Sequence, residues 1–482
     1  MSVNDIKGHY IGGRFLDDGR GTENINPSDV SDVIGRYARG GPETVDAALE
    51  AANAALPAWS AVGVQKRFDV LDAVGTRIAQ RSEELSVLLA REEGKPIGEA
   101  RGEVLRASQL FKFFAGEAIR NAGELLDSTR PGLTVEMTHE PVGVVGIITP
   151  WNFPMAIPAW KIAPALAYGN TVVMKPADIA PGCSWELAFM LDEAGLPDGV
   201  FNLVMGPGRE VGPALLNSGR VDAVTFTGSV GTGRQIARDA AANGVRVQCE
   251  MGGKNPLVVL GDANMDLAVE AAVNGAYYST GQRCTASSRI IVTDDVHDTF
   301  VAALTARLLQ LTVGGALDEG TIIGPVVSES QLEKNLEFIA EARIAGAEVV
   351  GGERLELEAR GHYMSPTIVL DPRQEHAISR DEVFGPVASV IRAADYDEAL
   401  ALANDTEFGL SAGICTNSLS HAAHFKRNSR AGMVMVNAPT AGVDYHVSFG
   451  GRKGSSYGHR EQGRAAREFY TLHKTAYVNA NV

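Results

Sequence analysis

The chain has 482 residues, 45% hydrophobic and 21% charged, which is ordinary for a globular protein and too long for one core, so roughly two or three domains are expected. Lys and Arg number 43 against 59 Asp and Glu, a formal charge of −16. A surface of that sign repels nucleic-acid phosphates and anionic lipid heads, so neither is expected as a partner. No apolar run approaches the roughly 20 residues that span a bilayer, and the opening MSVNDIKGHYIGGRF carries no apolar secretory segment. Cys183, Cys249, Cys284 and Cys415 form no CxxC pair, so neither a disulfide framework nor a metal site is expected, and the protein reads as reduced and cytoplasmic.

Residues 43–60 read as an amphipathic helix. A second, over 65–90, has Phe68, Leu71, Val74, Ile78 and Leu85 at helical spacing. From about 142 the pattern turns to short β-branched runs at 142–149, 171–175, 199–204, 223–226 and 245–250, with helical stretches such as 182–195 and 231–242 between them. Such alternation predicts an α/β fold, a parallel sheet with helices on both faces. A second set of strands follows at 256–260, 289–293, 367–370, 388–392, 412–416 and 433–437, and the break at MGGK (251–254) reads as a domain boundary. The terminal TLHKTAYVNA (471–480) alternates weakly, as an exposed edge strand does.

Chemistry concentrates in a few segments. STGQRCTASSR (279–289) sets Cys284 among small polar residues before an apolar strand. A free thiol is only about 3% thiolate at pH 7, so a nucleophile there needs local help; a plain buried loop cysteine fits the segment equally well. Glu250 ends a strand before paired glycines, where a carboxylate can activate water; a salt-bridged surface glutamate is the commoner fate. Together the two say more, because a thioester needs a thiol to form it and a base to hydrolyse it. In TPWNFPM (149–155) two prolines stiffen the backbone around Asn152, whose amide can donate to an oxyanion or simply shape a helix start. FTGSVGTG (226–233) joins a strand to a helix N-terminus suited to phosphate, without the G-x-G-x-x-G spacing. MKPAD (174–178) sets Lys175 and Asp178 at a strand end, suited to ribose hydroxyls or to a solvated turn.

WNFP, KPA, FTGS, EMGGK, GQRC and EVFGP, in this order and running from YIGGRF near residue 10 to GGRKGSSYG near 450, resemble the aldehyde dehydrogenase superfamily. The resemblance implies an NAD(P)-dependent enzyme with Cys284 as the catalytic thiol, Glu250 as general base, Asn152 with the Cys284 N–H as oxyanion hole, and Lys161 in the catalytic set. It assigns cofactor contacts to Ile148, Thr149, Pro150, Trp151, Lys175, Asp178, Gly208, Thr227, Gly228, Ser229, Glu382 and Phe384. Phe153, Trp160, Tyr278, Arg283, Thr285 and Phe449 are implied for the substrate pocket. Asp178 departs from the pattern, where NAD-preferring relatives have Glu and NADP users a small neutral residue; NAD is expected, with NADP as the alternative. The implied architecture is a Rossmann-like dinucleotide-binding domain (1–121 and 142–252), a catalytic domain (253–464) and a β-flap (122–141 and 465–482) that builds a homodimer or homotetramer.

Several strings, PAWKIAPALAYGN, CEMGGKNPLVVL, STGQRCTASSR and GGRKGSSYG with REQG, are similar to bacterial α-ketoglutaric semialdehyde dehydrogenases, which act on 2,5-dioxopentanoate. That makes this small-molecule aldehyde the first expectation and succinate semialdehyde the second. Some carboxylate-recognising relatives carry arginines where this chain has Tyr278 and Trp160. The substrate carboxylate then needs Arg283, His446 or Arg452, and the aromatic walls instead suit benzaldehyde-like or medium-chain aldehydes. A CoA-acylating enzyme, a phosphorylating dehydrogenase and a non-enzymatic nucleotide-binding protein are the remaining alternatives; Glu250 speaks against the first.

Overall fold

Val144–Ile148, Thr171–Lys175, Phe201–Leu203, Ala223–Thr227 and Arg246–Glu250 are the parallel heart of an eight-stranded sheet. Their runs of Val, Ile, Phe and Met are almost wholly buried, as strands covered by helices on both faces must be. In this computed structural model, which describes residues 5–17 and 19–479, the first of these strands has the second on one side and the fourth on the other. The order reverses there, and the crevice beyond the carboxyl ends of such strands is where open α/β sheets bind ligands. Asn152, Lys175, Thr227 and Glu250 all lie at those ends. A short hairpin, His9–Ile11 with Arg14–Leu16 about Gly12 and Gly13, extends one edge of the sheet. Both glycines have positive φ, 57° and 78°, as a two-residue hairpin turn requires.

The chain leaves this sheet at Met251–Lys254 and enters a second, seven-stranded one at Asn255–Val259. Ser287–Thr293, Thr367–Leu370, Val387–Ala393, Ser411–Cys415 and Met433–Val436 continue it in parallel, and Glu348–Val350 closes one edge antiparallel. The late chain then returns to the first sheet: Ser456–Tyr457 pairs antiparallel with Cys249 and Glu250.

A third sheet sets Leu133–Pro141 between Glu124–Asp127 and Thr471–Asn479. Among the described residues the last strand pairs along its whole length on one side only, leaving an edge with Leu472, Tyr477 and Val478 exposed. Residues 480–482 of the expected flap, and 480 of the expected strand, lie outside the described residues. The helix expected over 65–90 breaks at Arg81 into Val64–Gln80 and Ser82–Glu93, where the guanidinium bonds Glu84 and, across the fold, Glu186. A further helix, Ile97–Ile119, buries Val104, Ala107, Phe111 and Phe114 against the first core. Among the described residues no helix is long and apolar enough to cross a membrane.

Candidate active site

Cys284 stands at the end of a backbone turn that L-residues resist. Ser279, Thr280 and Gly281 have φ of 53°, 55° and 65°, three consecutive left-handed residues. Two non-glycine residues there are costly, and the arrangement persists because its surroundings over-determine it. Ser279 donates its backbone N–H (2.8 Å) and its hydroxyl to the Glu99 carboxylate, Thr280 Oγ1 donates to the Gly324 carbonyl (3.1 Å), and Gln282 Oε1 accepts from Val327 N (2.9 Å). The Asn255 amide then donates to the Cys284 carbonyl at 2.8 Å and to that of Ala286 at 2.9 Å. The thiol is half-buried, while the other three cysteines are buried in the cores. Burial first, then the Glu382 and Glu250 carboxylates, push its pKa up to about 12. At rest it is a protonated thiol.

Two cavities meet at this sulfur. One, of about 170 Å³, is walled by Trp151, Thr227, Gly228, Ser229, Glu382 and Phe384; the other, of about 330 Å³, by Arg106, Phe153, Trp160, Arg283, Thr285 and Phe449. Cys284 and Ile157 line both, and Asn152 lines the first.

The Asn152 loop is clamped from below. Its amide nitrogen reaches the Gln282 carbonyl at 2.9 Å, beside the nucleophile. Lys95 Nζ donates to the Asn152 carbonyl (2.7 Å) and pairs with Glu103 (2.6 Å). The same Glu103 accepts the N–H groups of Met155 and Ala156, which open the next helix. A buried ion pair is dear to desolvate, and removing one partner costs about 3–5 kcal/mol; here it holds one polar loop in a single conformation.

Glu250 is buried at 2% exposure. Its carboxylate accepts from Gln248 Nε2 at 3.2 Å and from the Ser456 hydroxyl. A Cβ at Gly450, whose φ is 144°, would stand 2.7 Å from Glu250 Oε1, so that glycine keeps the carboxylate's space open. Burial and the nearby Glu461 raise its pKa well above the usual carboxylate range, against the pull of Ser456, Lys161 and Arg460. Behind it runs a hydrogen-bonded chain. Gln248 accepts from Thr225 Oγ1 (2.6 Å), which accepts from Lys161 Nζ (2.7 Å), and Lys161 is ion-paired with Glu461.

The smaller cavity carries the features of a dinucleotide cleft. Ser229 caps the helix Val230–Ala242, whose N-terminus favours anions. The Thr227 hydroxyl, in the wall, and the Thr149 hydroxyl are buried donors without a partner. Glu382 accepts from Gly253 N at 2.9 Å, and a Cβ at Gly252 would fall 2.1 Å from its other oxygen. Phe384, at φ 63°, packs edge-on to Trp151 with ring centroids 5.4 Å apart. Further along the strand ends, Lys175 pairs with Asp178 at 2.6 Å, and a Cβ on Gly208 would come 3.7 Å from the Lys175 nitrogen.

A model of the Aldehyde dehydrogenase family matches residues 16–476. This chain belongs to the aldehyde dehydrogenase family. It is 44% identical over 481 residues to the alpha-ketoglutarate semialdehyde dehydrogenase of Haloferax volcanii, covering 98% of this chain and 99% of that one. With the alpha-ketoglutaric semialdehyde dehydrogenase of Bacillus subtilis it shares 43% identity, over 94% and 93% of the two chains. Among solved structures, betaine aldehyde dehydrogenase from Staphylococcus aureus in complex with NAD+ superposes with a TM-score of 0.96 at 34% identity, over 99% and 95% of the chains. An NAD-dependent aldehyde dehydrogenase from Sinorhizobium meliloti gives 0.97 at 35%, over 100% and 96%. The chain is an aldehyde dehydrogenase, an oxidoreductase that turns an aldehyde into an acid.

Within this aldehyde dehydrogenase the expected residues fall into distinct places. Cys284, Asn152, Pro150, Trp151, Thr227, Gly228, Ser229, Glu382 and Phe384 share the smaller cavity, and Phe153, Trp160, Arg283, Thr285 and Phe449 the larger. Others are not in either wall. Ile148 packs with Val144, Val173 and Val224 in a second core of the first sheet; Lys161 is fully buried behind Glu250; Asp178 borders a separate hollow with Tyr37, Met205 and Pro207. Tyr278, expected in the substrate pocket, instead packs against the core of the second sheet, because the left-handed turn after it swings Ser279 to the cavity. His446 and Arg452 are exposed and outside the larger cavity. Arg283 spends Nε on the Tyr278 carbonyl (3.0 Å) and Nη2 on that of Asn274 (2.6 Å). Lys95, Glu103, Arg106, Thr225, Gln248, Ser456 and Glu461 entered no sequence expectation by role. Glu461 sits in the REQG string, which carries a family resemblance but by residue type alone no chemical role.

Proposed function

We propose that this enzyme oxidises a short aldehyde bearing a carboxylate, 2,5-dioxopentanoate first and succinate semialdehyde next, with NAD. The observation that carries the reading is the position of Cys284, at the junction of the two cavities, in a chain alike over nearly its whole length to two enzymes named for this semialdehyde. Guanidinium groups in the wall of the larger cavity speak against a cationic aldehyde. The orphaned Thr227 hydroxyl, the Gly252 cradle beside Glu382 and the Ser229 helix cap fit a dinucleotide. Ser229 would face the pyrophosphate, Glu382 the nicotinamide ribose, and Lys175 with Asp178 the adenosine ribose.

Cys284 releases its thiol proton to solvent as Sγ attacks the aldehyde carbon, and the oxygen turns towards Asn152 Nδ2 and the Cys284 N–H, where a donor is worth about 10²–10³ in rate. When bound, NAD supplies the acceptor for the hydride whose loss leaves a thioester on Cys284. Glu250 takes a proton from a water, which attacks the acyl carbon and frees both the acid and the thiol. The chain Gln248–Thr225–Lys161–Glu461 holds the base in place. Residues 1–121 with 142–252, 253–464, and 122–141 with 465–482 then serve as cofactor, catalytic and flap segments of a cytoplasmic homo-oligomer. The one-sided terminal strand and the exposed Leu125, Leu126 and Tyr477 of its sheet support that assembly.

The substrate reading is tested by kcat/KM for 2,5-dioxopentanoate against benzaldehyde and hexanal. The semialdehyde is expected to lead by tenfold or more, about 1.4 kcal/mol of transition-state preference; neutral aldehydes leading by that margin would sink it. For the cofactor, a carboxylate at 178 accepts from ribose hydroxyls and repels a 2′-phosphate. NAD should therefore exceed NADP by about tenfold in kcat/KM, and Asp178→Ala should narrow the gap. A wild-type preference for NADP would overturn this.

A further inference from the structure

Resting on that substrate class, we infer that Arg106, with the Trp160 indole N–H beside it, forms the subsite that holds the acid end of the substrate. Arg106 lies on the helix Ile97–Ile119 and reaches the wall of the larger cavity, whose acids Glu99 and Glu103 are engaged by other partners. Among the described residues no carboxylate comes within ion-pair distance of it. Glu103 is already bound to Lys95 and to two backbone N–H groups, and Asp444 is exposed. Its partners are neutral: the Val443 carbonyl, Gln462 Oε1 at 3.0 Å, and the face of Trp160, 5.9 Å from the guanidinium carbon. Its Nε is buried with no acceptor, and so is Trp160 Nε1 in the same wall.

Two buried donors without an acceptor, on two residues of one cavity wall and one of them on a cation, constitute a cost that an anion drawn in beside them removes. Arg283, the other guanidinium of the wall, has turned two of its nitrogens to carbonyls behind the turn. The remaining acid of the wall, Glu99, is taken up by Ser279. A carboxylate entering the cavity is therefore drawn to the Arg106–Trp160 side, with Cys284 left for the aldehyde. Phe153 and Phe449 enclose the methylenes between. This arrangement serves an acid-tailed aldehyde without the two arginines that Tyr278 and Trp160 replace.

A purely structural arginine, tying the 442–449 segment to its helix through Val443, would predict something else. The experiment compares kcat/KM for 2,5-dioxopentanoate and for pentanal, which has the same five carbons and no acid, in wild type, Arg106→Gln, Arg106→Lys and Trp160→Phe. Arg106→Gln should cut the preference for the acid substrate on the order of 100-fold, chiefly through its KM. Arg106→Lys should recover part of that preference, and Trp160→Phe, which keeps a ring and removes the N–H, should lose several-fold in the same sense. Equal losses for both aldehydes, or an unaltered preference in Arg106→Gln and Trp160→Phe, overturn the subsite. If Arg106→Gln does not fold, Trp160→Phe and Arg106→Lys still decide. A wild type that prefers pentanal rejects the semialdehyde reading itself, which is a different result from a semialdehyde-preferring wild type whose preference ignores Arg106.

Discussion

Cys284→Ala should reduce aldehyde-dependent NADH formation on the order of 10⁴-fold or more, while NAD affinity, read by fluorescence quenching, stays within about threefold. Among the described residues the thiol is the only cysteine on the border of both cavities; the remaining cysteines are buried in the cores. No neighbouring side chain can take over the covalent step. The methyl group of alanine fits where the thiol was, so the strained turn and the cleft walls remain. Residual turnover within about tenfold of wild type would show that oxidation does not pass through Cys284.

Glu250→Gln separates the two halves of the reaction. Mixing this variant with NAD and aldehyde should give a burst of NADH near one equivalent per site, followed by a steady rate about 10²–10⁴-fold below wild type. Acylation needs Cys284 and Asn152; only hydrolysis needs the base. The pH dependence has a definite sign. Burial and Glu461 raise the Glu250 pKa, so on lowering the pH the carboxyl takes its proton early and the water loses its base. Deacylation should rise with pH through that raised value in the wild type and be flat in the variant. A burst-free Glu250→Gln, or one with the wild-type profile, would remove Glu250 from the deacylation step.

Much of this was legible in the residues, for physical reasons. Parallel strands buried on both faces announce themselves as β-branched runs, and all eleven runs read that way lie in strands of the two large sheets. The residues at their carboxyl ends had sequence context as well, glycines and prolines whose backbone demands are local. The helix Ile97–Ile119 escaped because its charged residues blur the apolar stripe: Glu103 is nearly inaccessible, which its pairing with Lys95, just before the helix, permits. Tyr278 was misplaced for a related reason. Its direction depends on three left-handed residues that follow it, two of which, Ser279 and Thr280, give no hint of positive φ by type. Arg106 is the extreme case, an ordinary arginine on an unremarked helix whose meaning lies wholly in what does not stand opposite it.

The return of Ser456–Tyr457 to the strand that ends in Glu250 gives the site an order in time. Ser456 bonds the base, Gly450 leaves it room and Glu461 sets its charge, so three late positions of the chain furnish an environment for a carboxylate made some two hundred residues earlier. The turn that presents Cys284 leans on Glu99, Gly324 and Val327, all of which leave the ribosome more than a hundred residues before Ser456. Synthesis runs from the amino end, and early segments fold first. In the order of synthesis, then, the contacts that hold the thiol's turn come before those that shape the pocket of the base.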